Sequence, residues 1–483
     1  MKLTIRVLPL ILFGLTVAQA QIPRFDHIIV IVQENRTPDN LFQGLCRPPF
    51  GSAHRCSTTP DASQYDIKTT NWLDKDFPGG TVHPRPIDLA NTYDLGHSHS
   101  NFLAMCDFAG AGCRMDGAAD INCGPTANCP LRPQFRFVSN RDGIVNPYLQ
   151  MATQYGWANY MFQTNQGPSF PAHQFIFGGT SAPTAADDAA GIFASENLGG
   201  GIGGLATIAG CIALTSTTVA LINPPGLENQ KIYPCFEHLT MGDLLQSPLS
   251  WRYYTPSAGL IWTAPDAIQH ICQSTGPGGD CVGPEWTNHV DLKSADVLND
   301  IGNCQLRSVS WVIPTGANSD HAAATDGGGP SWVASIVNAI GNSSRCDNDN
   351  GYWNNTAIFI TWDDWGGWYD HVPPPFLPQP QGDYQYGFRV PLIVVSAYTP
   401  ANYINNARHD FGSILRFIEH NFSIPEGALN FADMRSTTDL TAFFDLSSEP
   451  RSFRVIDATK NAAFFLNDKR PPTDPDDDDP PAP

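Results

Sequence analysis

The chain is poor in basic residues. Its 483 residues include 27 Lys and Arg against 47 Asp and Glu, which gives a formal net charge of -20 at pH 7. A protein of this sign gains no long-range attraction to a phosphate polymer or an anionic membrane surface. We therefore expect no nucleic-acid partner, and we expect any phosphate recognition to be local, with a bound cation as the simplest device.

Long apolar runs are also missing after residue 20, and a run of about 20 residues is needed to cross a bilayer. Residues 1–20 have Lys2 and Arg6, an apolar stretch over 8–18 and the ending Ala18-Gln19-Ala20, as is typical of a secretory signal peptide. We expect a mature chain from about Gln21 with no integral membrane segment, in a secreted or periplasmic location. Loss of the two basic residues lowers its formal charge to -22.

No two cysteines form a CxxC pair, although the chain has twelve cysteines. In an exported chain this favours disulfides over a cysteine metal site, and the pairing cannot be deduced from the spacing. The cysteines are Cys46, Cys56, Cys106, Cys113, Cys123, Cys129, Cys211, Cys235, Cys272, Cys281, Cys304 and Cys346.

Apolar, β-branched runs predict buried strands of a mostly parallel sheet. They lie at residues 25–33, 309–313, 356–362 and 390–396, and helical spacing of apolar residues predicts helices over 331–342 and 411–422. The expected fold class is α/β, with a central sheet flanked by helices and with long loop insertions. The length also allows two or three domains.

The expected domain division has three parts. Residues 21–469 form a single domain in which about 181–300 is a subdomain or lid, between the signal peptide at 1–20 and an acidic, Pro-rich disordered tail at 470–483. The Gly- and Ala-rich segment 181–213 is expected to be an insertion rather than core.

Polar residues follow three of the predicted strands directly or after a short loop. They are Glu34-Asn35, Asp320-His321 and Asp363-Asp364. Because the carboxyl ends of parallel strands meet at one edge of a sheet, we expect the three pairs to converge. Adjacent carboxylates such as Asp363 and Asp364 repel each other and are most simply stabilised by a divalent cation, although a polar turn after a strand has a similar sequence.

Several segments resemble the phosphoesterase family of non-haemolytic phospholipases C and bacterial acid phosphatases. They are IIVIVQENRTPDNLF, TWDDWGGWYDHVPPP, GFRVPLIVVS and HDFGSILRFIE, in the order found in that family. The resemblance implies an alkaline-phosphatase-like fold and a metal-dependent phosphoric ester hydrolase. It also implies that Glu34, Asn35, Asp363 and Asp364 bind a divalent ion, with Mg²⁺, Ca²⁺, Mn²⁺ and Zn²⁺ all open. The other interpretation of Glu34-Asn35 is a helix cap.

The predicted nucleophile is Ser169, because GPSFP at 167–171 resembles the nucleophile segment of the family. The resemblance implies attack on phosphorus and a phosphoseryl intermediate. The sequence departs from the family after Pro171, where Ala172 replaces the usual Asn and is followed by His173 and Gln174. An ordinary turn in a Pro-rich loop is the alternative.

Histidines supply the remaining predicted site residues. His321 and His371 resemble family histidines that bind phosphoryl oxygens or protonate the leaving alcohol, and His97, Asp320 and Asn35 are predicted to contact substrate. A structural role is the alternative for each histidine.

The substrate expected from the sequence is a small phosphomonoester or a phospholipid diester. The chain ends about sixty residues after HDFGSILRFIE, which together with the acidic charge slightly favours an acid-phosphatase-like role. The rival hypothesis is an exported protein that binds phosphorylated ligands without turnover. The oligomeric state stays open.

Overall fold

The computed structural model describes residues 24–472, apart from 111, 124–128, 200–207, 225, 348–349 and 378–383. The predicted signal peptide at 1–20 and residues 473–483 of the predicted tail lie outside the described residues.

The strands of the described chain are β1 (His27–Gln33), β2 (Trp72–Leu73), β3 (Thr81–Val82), β4 (Arg85–Ile87), β5 (Arg136–Val138), β6 (Gly156–Phe162), β7 (Phe193–Ala194), β8 (Val219–Ile222), β9 (Gln230–Ile232), β10 (Trp251–Tyr254), β11 (Val290–Asp291), β12 (Val309–Val312), β13 (Thr356–Trp362), β14 (Leu392–Val395) and β15 (Tyr403–Asp410).

The α-helices are α1 (Pro38–Leu41), α2 (His99–Cys106), α3 (Asn146–Gln154), α4 (Ser169–Gly178), α5 (Ala185–Ala189), α6 (Met241–Leu244), α7 (Gln269–Cys272), α8 (Pro284–His289), α9 (Asp296–Gly302), α10 (Gly329–Gly341), α11 (Phe411–Phe422), α12 (Asn430–Arg435) and α13 (Ala462–Leu466).

Eight of these strands form one central sheet. Their order is β11-β10-β12-β1-β13-β14-β6-β15, and every neighbouring pair is parallel except the two pairs that include β14. Strand β1 lies between β12 and β13, so the three strands predicted to carry polar residues at their ends are adjacent and run the same way. This confirms the α/β fold class and the convergence of these ends.

Helices pack on both faces of the sheet. Phe359 of β13 meets Phe417 of α11 with ring centroids 5.0 Å apart, whereas Trp362 of the same strand meets Tyr148 of α3 at 5.1 Å. Residues 359 and 362 differ by an odd number of positions, so their side chains leave a strand on opposite faces. The run at 356–362 is fully buried because helices cover both sides of it.

The expectation that segment 181–213 lies outside the core was wrong for part of its described residues, whereas residues 183–193 are exposed or half-buried. Ala194, Ala209 and Ile212 are buried in the main hydrophobic cluster. Ala194 and Ala209 are small and give no apolar periodicity, and for this reason the pattern did not reveal their burial.

All twelve cysteines form disulfides, as predicted. The pairs are Cys46–Cys56, Cys106–Cys113, Cys123–Cys129, Cys211–Cys235, Cys272–Cys281 and Cys304–Cys346. Six disulfides are typical of proteins that fold in an oxidising compartment outside the cytoplasm. Among the described residues, no helix has the length and apolar character of a membrane span.

Candidate active site

Two strand-end loops come into direct contact at the carboxyl edge of the sheet. The backbone N–H of Asn35, which follows β1, donates to Asp363 Oδ1 at 3.0 Å. Gly366 turns the second loop with a φ of +61°, and a Cβ atom at this position would lie 2.6 Å from the Cβ of Asn35. Only glycine allows both the left-handed backbone and this approach.

The four predicted metal ligands, Glu34, Asn35, Asp363 and Asp364, are all fully buried at this edge. Within the described chain, Asn35 Oδ1 and Asp363 Oδ2 are buried without a hydrogen-bond partner. Buried oxygens of this kind are rare in native proteins, and a bound ion is a common explanation. Three buried carboxylates also need positive charge to be ionised together. The donor set therefore fits a divalent cation.

Ser169 is the first residue of α4, and it is fully buried beside the carboxylates. Its Oγ donates to Asp364 Oδ2 at 3.0 Å, while the other oxygen of Asp364 accepts the backbone N–H of Gly366 at 2.6 Å. Because α4 begins at Ser169, the positive end of the helix dipole points at this hydroxyl and favours an anion there.

His97 joins the same cluster. Its Nδ1 is 2.8 Å from the carbonyl oxygen of Leu95, so Nδ1 carries the hydrogen in that contact. Its Nε2 lies 3.1 Å from Asn35 Nδ2 and 3.8 Å from Asp364 Oδ2. In this tautomer Nε2 accepts from the Asn35 amide, which turns Asn35 Oδ1 away from the histidine and leaves that oxygen for another partner.

His321 lies next to His97, with ring centroids 6.3 Å apart. Its Nδ1 is 2.6 Å from the carbonyl oxygen of Ala322, and its Nε2 is 3.9 Å from a carboxylate oxygen of Asp94. The ring also packs against Trp262, with ring centroids 6.1 Å apart. His321 therefore lies beside His97, and its role in the reaction stays a prediction.

Asp320 is buried behind this histidine. Its Oδ2 accepts from the Tyr148 hydroxyl at 2.8 Å and from Trp362 Nε1 at 3.0 Å, and its carbonyl oxygen accepts from Arg36 Nε at 2.9 Å. Burial raises the pKa of the Asp320 carboxyl to about 6, although Arg36 and these hydrogen bonds oppose the rise. These contacts tie the loop after β12 to the protein interior, which favours a positioning role over direct substrate contact.

His371 belongs to a different contact set. Its Nδ1 lies 2.8 Å from Asp39 Oδ2 and its Nε2 lies 2.9 Å from Asp66 Oδ1. Arg389 binds Asp370, the preceding residue, with two hydrogen bonds of 2.8 and 2.9 Å. Because carboxylates hold both ring nitrogens, this geometry favours a structural role for His371 over the predicted catalytic one.

His173 is the site residue that the sequence prediction missed. It lies one turn after Ser169 on α4, and its Nε2 is 3.3 Å from Glu34 Oε1 and 3.8 Å from Asp363 Oδ2. The spacing of four residues would have placed both side chains on one helix face, had the start of the helix at Ser169 been known.

The aromatic residues Trp365, Trp368 and Tyr369 are buried in a second hydrophobic cluster.

The sequence is similar to phospholipases C over part of its length. The model of the Phosphoesterase family matches residues 25–425. A stretch of 195 residues is 32% identical to non-hemolytic phospholipase C of Burkholderia pseudomallei and covers 35% of this chain and 27% of that protein. Phospholipase C A of Mycobacterium tuberculosis is 27% identical over 180 residues, which cover 33% of each protein. The matched part spans a third or less of these curated relatives.

Among solved structures, a protein in the alkaline phosphatase superfamily from Vibrio parahaemolyticus matches with a TM-score of 0.33 and 9% identity. The match covers 86% of this chain and 70% of that chain.

Proposed function

Because the chain belongs to the Phosphoesterase family, we propose that it is an exported phosphoric ester hydrolase in which Ser169 is the nucleophile. The observation that carries the proposal is the hydrogen bond from Ser169 Oγ to Asp364 Oδ2 at 3.0 Å. A hydroxyl at a helix start, beside buried carboxylates that fit a cation, is suited to attack on a phosphoryl group.

A divalent cation held by Glu34, Asn35, Asp363 and Asp364 would lower the pKa of the Ser169 hydroxyl and offset the charge of the phosphoryl oxygens. The four side chains are buried, so water competes little with such an ion.

The proposed reaction has two displacements. In the first, Asp364 Oδ2 takes the proton of Ser169 Oγ, the Oγ–P bond forms and the bond from phosphorus to the alcohol oxygen breaks. In the second, water gives a proton to His321 as its oxygen bonds to phosphorus, the Oγ–P bond breaks, and Asp364 returns the proton to Ser169 Oγ. The first product is the alcohol, and the second is the phosphate that carries any remaining ester group.

His321 and His97 have different roles in this reaction. His321 gives a proton to the departing alcohol oxygen, and Asp94, 3.9 Å from its Nε2, attracts the protonated ring. His97 holds the Asn35 side chain in place through the contact at 3.1 Å. We assign no step of the reaction to His371, because Asp39 and Asp66 contact both nitrogens of its ring.

The proposed substrates are a small phosphomonoester and a phospholipid diester, since the named relatives are phospholipases C. Both have a phosphoryl group and an alcohol leaving group, so the same residues serve either. The six disulfides support export to the periplasm or the medium.

Hydrolysis assays of matched variants test this proposal. Chromogenic phosphomonoester, the corresponding diester and phosphatidylcholine are each incubated with the mature protein, with and without a chelator. We expect the wild type to hydrolyse at least one of them, and Ser169→Ala and Asp363→Asn to lose on the order of 10³-fold in kcat/KM. The exposed Ser63→Ala and Asp76→Asn serve as controls and should keep full activity.

Wild-type turnover by Ser169→Ala would overturn the nucleophile, and full activity after chelation would overturn the cation. Binding of phosphoesters without any hydrolysis would instead support the rival hypothesis of a binding protein.

A further inference from the structure

We infer that His173 is a ligand of the proposed cation, and that the site takes an ion that accepts imidazole nitrogen, with zinc as the representative. The inference rests on the proposed function, because it concerns the same cation site. An all-oxygen set suits magnesium or calcium, whereas a set with imidazole suits zinc and similar transition metals.

The helix α4 places His173 at the cation site. His173 follows Ser169 by four residues, so both side chains project from the same face of the helix. The His173 side chain is fully buried, as are those of Glu34 and Asp363. One ligand atom from each of these three residues lies within 4.8 Å of the other two.

The separations match those of ligands that share one ion. Bonds of about 2.0–2.2 Å, at angles of about 90–120° between neighbouring ligands, place two ligand atoms about 2.8–3.8 Å apart. The Nε2 of His173 lies 3.3 Å from Glu34 Oε1 and 3.8 Å from Asp363 Oδ2. A charge-assisted hydrogen bond from a protonated imidazole would shorten such a contact to about 2.7–2.9 Å. The geometry therefore favours a shared ion over an ion pair.

Tyr253 orients the ring of His173. The Tyr253 hydroxyl donates to the carbonyl oxygen of Trp262 at 2.8 Å, so its own oxygen faces His173 Nδ1 as an acceptor, at 3.5 Å. The hydrogen then sits on Nδ1, and the lone pair of Nε2 points at the carboxylates. Metal-binding histidines generally donate their second N–H to an oxygen in this way.

Metal titrations of variants test the inference independently of turnover. Metal-free protein is titrated calorimetrically with Zn²⁺, Mg²⁺ and Ca²⁺ in separate experiments. We expect wild type to prefer Zn²⁺, and His173→Gln to lose about 100-fold in Zn²⁺ affinity with little change for Mg²⁺. Tyr253→Phe retains His173 but removes the hydroxyl that orients its ring, so we expect the Zn²⁺ affinity to fall about 10-fold. X-ray absorption of the zinc-loaded proteins should show less imidazole scattering in His173→Gln.

The matched control is His270→Gln. His270 forms another group of a histidine and two carboxylates with Asp243 and Glu285, and all three residues are half-buried. If zinc were captured by this group, His270→Gln would lower zinc binding, and that result would contradict the inference. Circular dichroism and Tm identify any variant that fails to fold, and Tyr253→Phe, which retains His173, then provides the test.

The inference and the proposed function fail in different ways. Equal Zn²⁺ affinity of wild type, His173→Gln and Tyr253→Phe would overturn the role of His173, even if Ser169→Ala abolishes hydrolysis. Zinc binding that depends on His173 in a protein that hydrolyses no phosphoester would overturn the proposed function alone.

Discussion

Asp363 and Asp364 are adjacent in sequence but have different partners. Asp363 Oδ1 accepts from Asn35, whereas Asp364 Oδ2 accepts from Ser169. Strand β13 ends at Trp362, and the chain bends at Asp363, so the two carboxylates lie in the loop rather than in the strand. The sequence predicts that both carboxylates serve a cation, and it cannot assign one of them to the serine, because Ser169 is almost two hundred residues away in the chain.

His371 is the residue whose predicted role the contacts support least. The sequence predicts a role for His371, but none for the two carboxylates that engage it. Asp39 lies in the segment IIVIVQENRTPDNLF without a predicted role, and Asp66 lies outside every quoted segment. Burial lowers the pKa of His371, and the charge of Asp39 with the hydrogen bonds of both carboxylates more than reverses this, to about 9.

This pKa predicts how stability depends on pH. A group whose pKa is about 6.5 unfolded and about 9 folded stabilises the protein fully below pH 6.5, and the contribution is lost as the pH rises through 9. We expect His371→Gln to lower the free energy of unfolding by about 3 kcal/mol at pH 6 and by much less at pH 10. Urea unfolding across this range measures the difference.

His420→Gln is the matched control for His371. His420 contacts Asp439 at 2.8 Å, but its side chain is 66% exposed, so solvent screens the pair. We expect little change in stability at any pH. A difference between wild type and His371→Gln that stays constant from pH 6 to 10 would contradict the charged pair.

At the scale of elements, the site depends on where β1, β13 and α4 end or begin. Residues 356–362 and 411–422 were predicted with their observed bounds, because the first is a continuous apolar, β-branched run and the second has apolar residues at helical spacing. Strand β15 was not predicted, since three successive residues, Asn406 to Arg408, are exposed in its middle. His173 was missed for a related reason: the start of α4 follows a Pro-rich loop, which gives no periodic signal.

Gly366 tests the contact between the two strand ends. Alanine there would place a Cβ atom 2.6 Å from both the Cβ and the carbonyl oxygen of Asn35. We expect Gly366→Ala to shift the Asn35 loop and to lower kcat/KM about 100-fold, since misplacement of about 1 Å has this effect. Its stability should also fall by more than the 1–2 kcal/mol that a left-handed alanine costs.

Gly80→Ala separates the backbone effect from the crowding. Gly80 has a φ of +72°, and nothing lies within 4 Å of a Cβ atom built there. We expect this control to lose about 1–2 kcal/mol of stability and to keep its activity. Equal kinetics of the two variants would show that the close approach at Gly366 does not position the site.

At the scale of the whole molecule, the proposed function requires a protein of net charge -20 to bring a substrate phosphate to a cluster of buried carboxylates. The acidic composition predicted that recognition must be local. The α/β class was predicted from the apolar runs. Strands β12, β1 and β13 are neighbours in the sheet, so their carboxyl ends meet as predicted. The order itself, with β14 antiparallel inside the sheet, depends on contacts between distant segments that no local pattern encodes.

The measurement that tests the central claim most directly is acid quenching of wild-type protein during turnover of a phosphomonoester, followed by mass spectrometry of its peptides. Double displacement predicts one added phosphoryl group on the peptide that contains Ser169, and none on that peptide in Ser169→Ala. Rapid hydrolysis with no phosphoryl group on Ser169, or with the group on another residue in both proteins, would contradict the account.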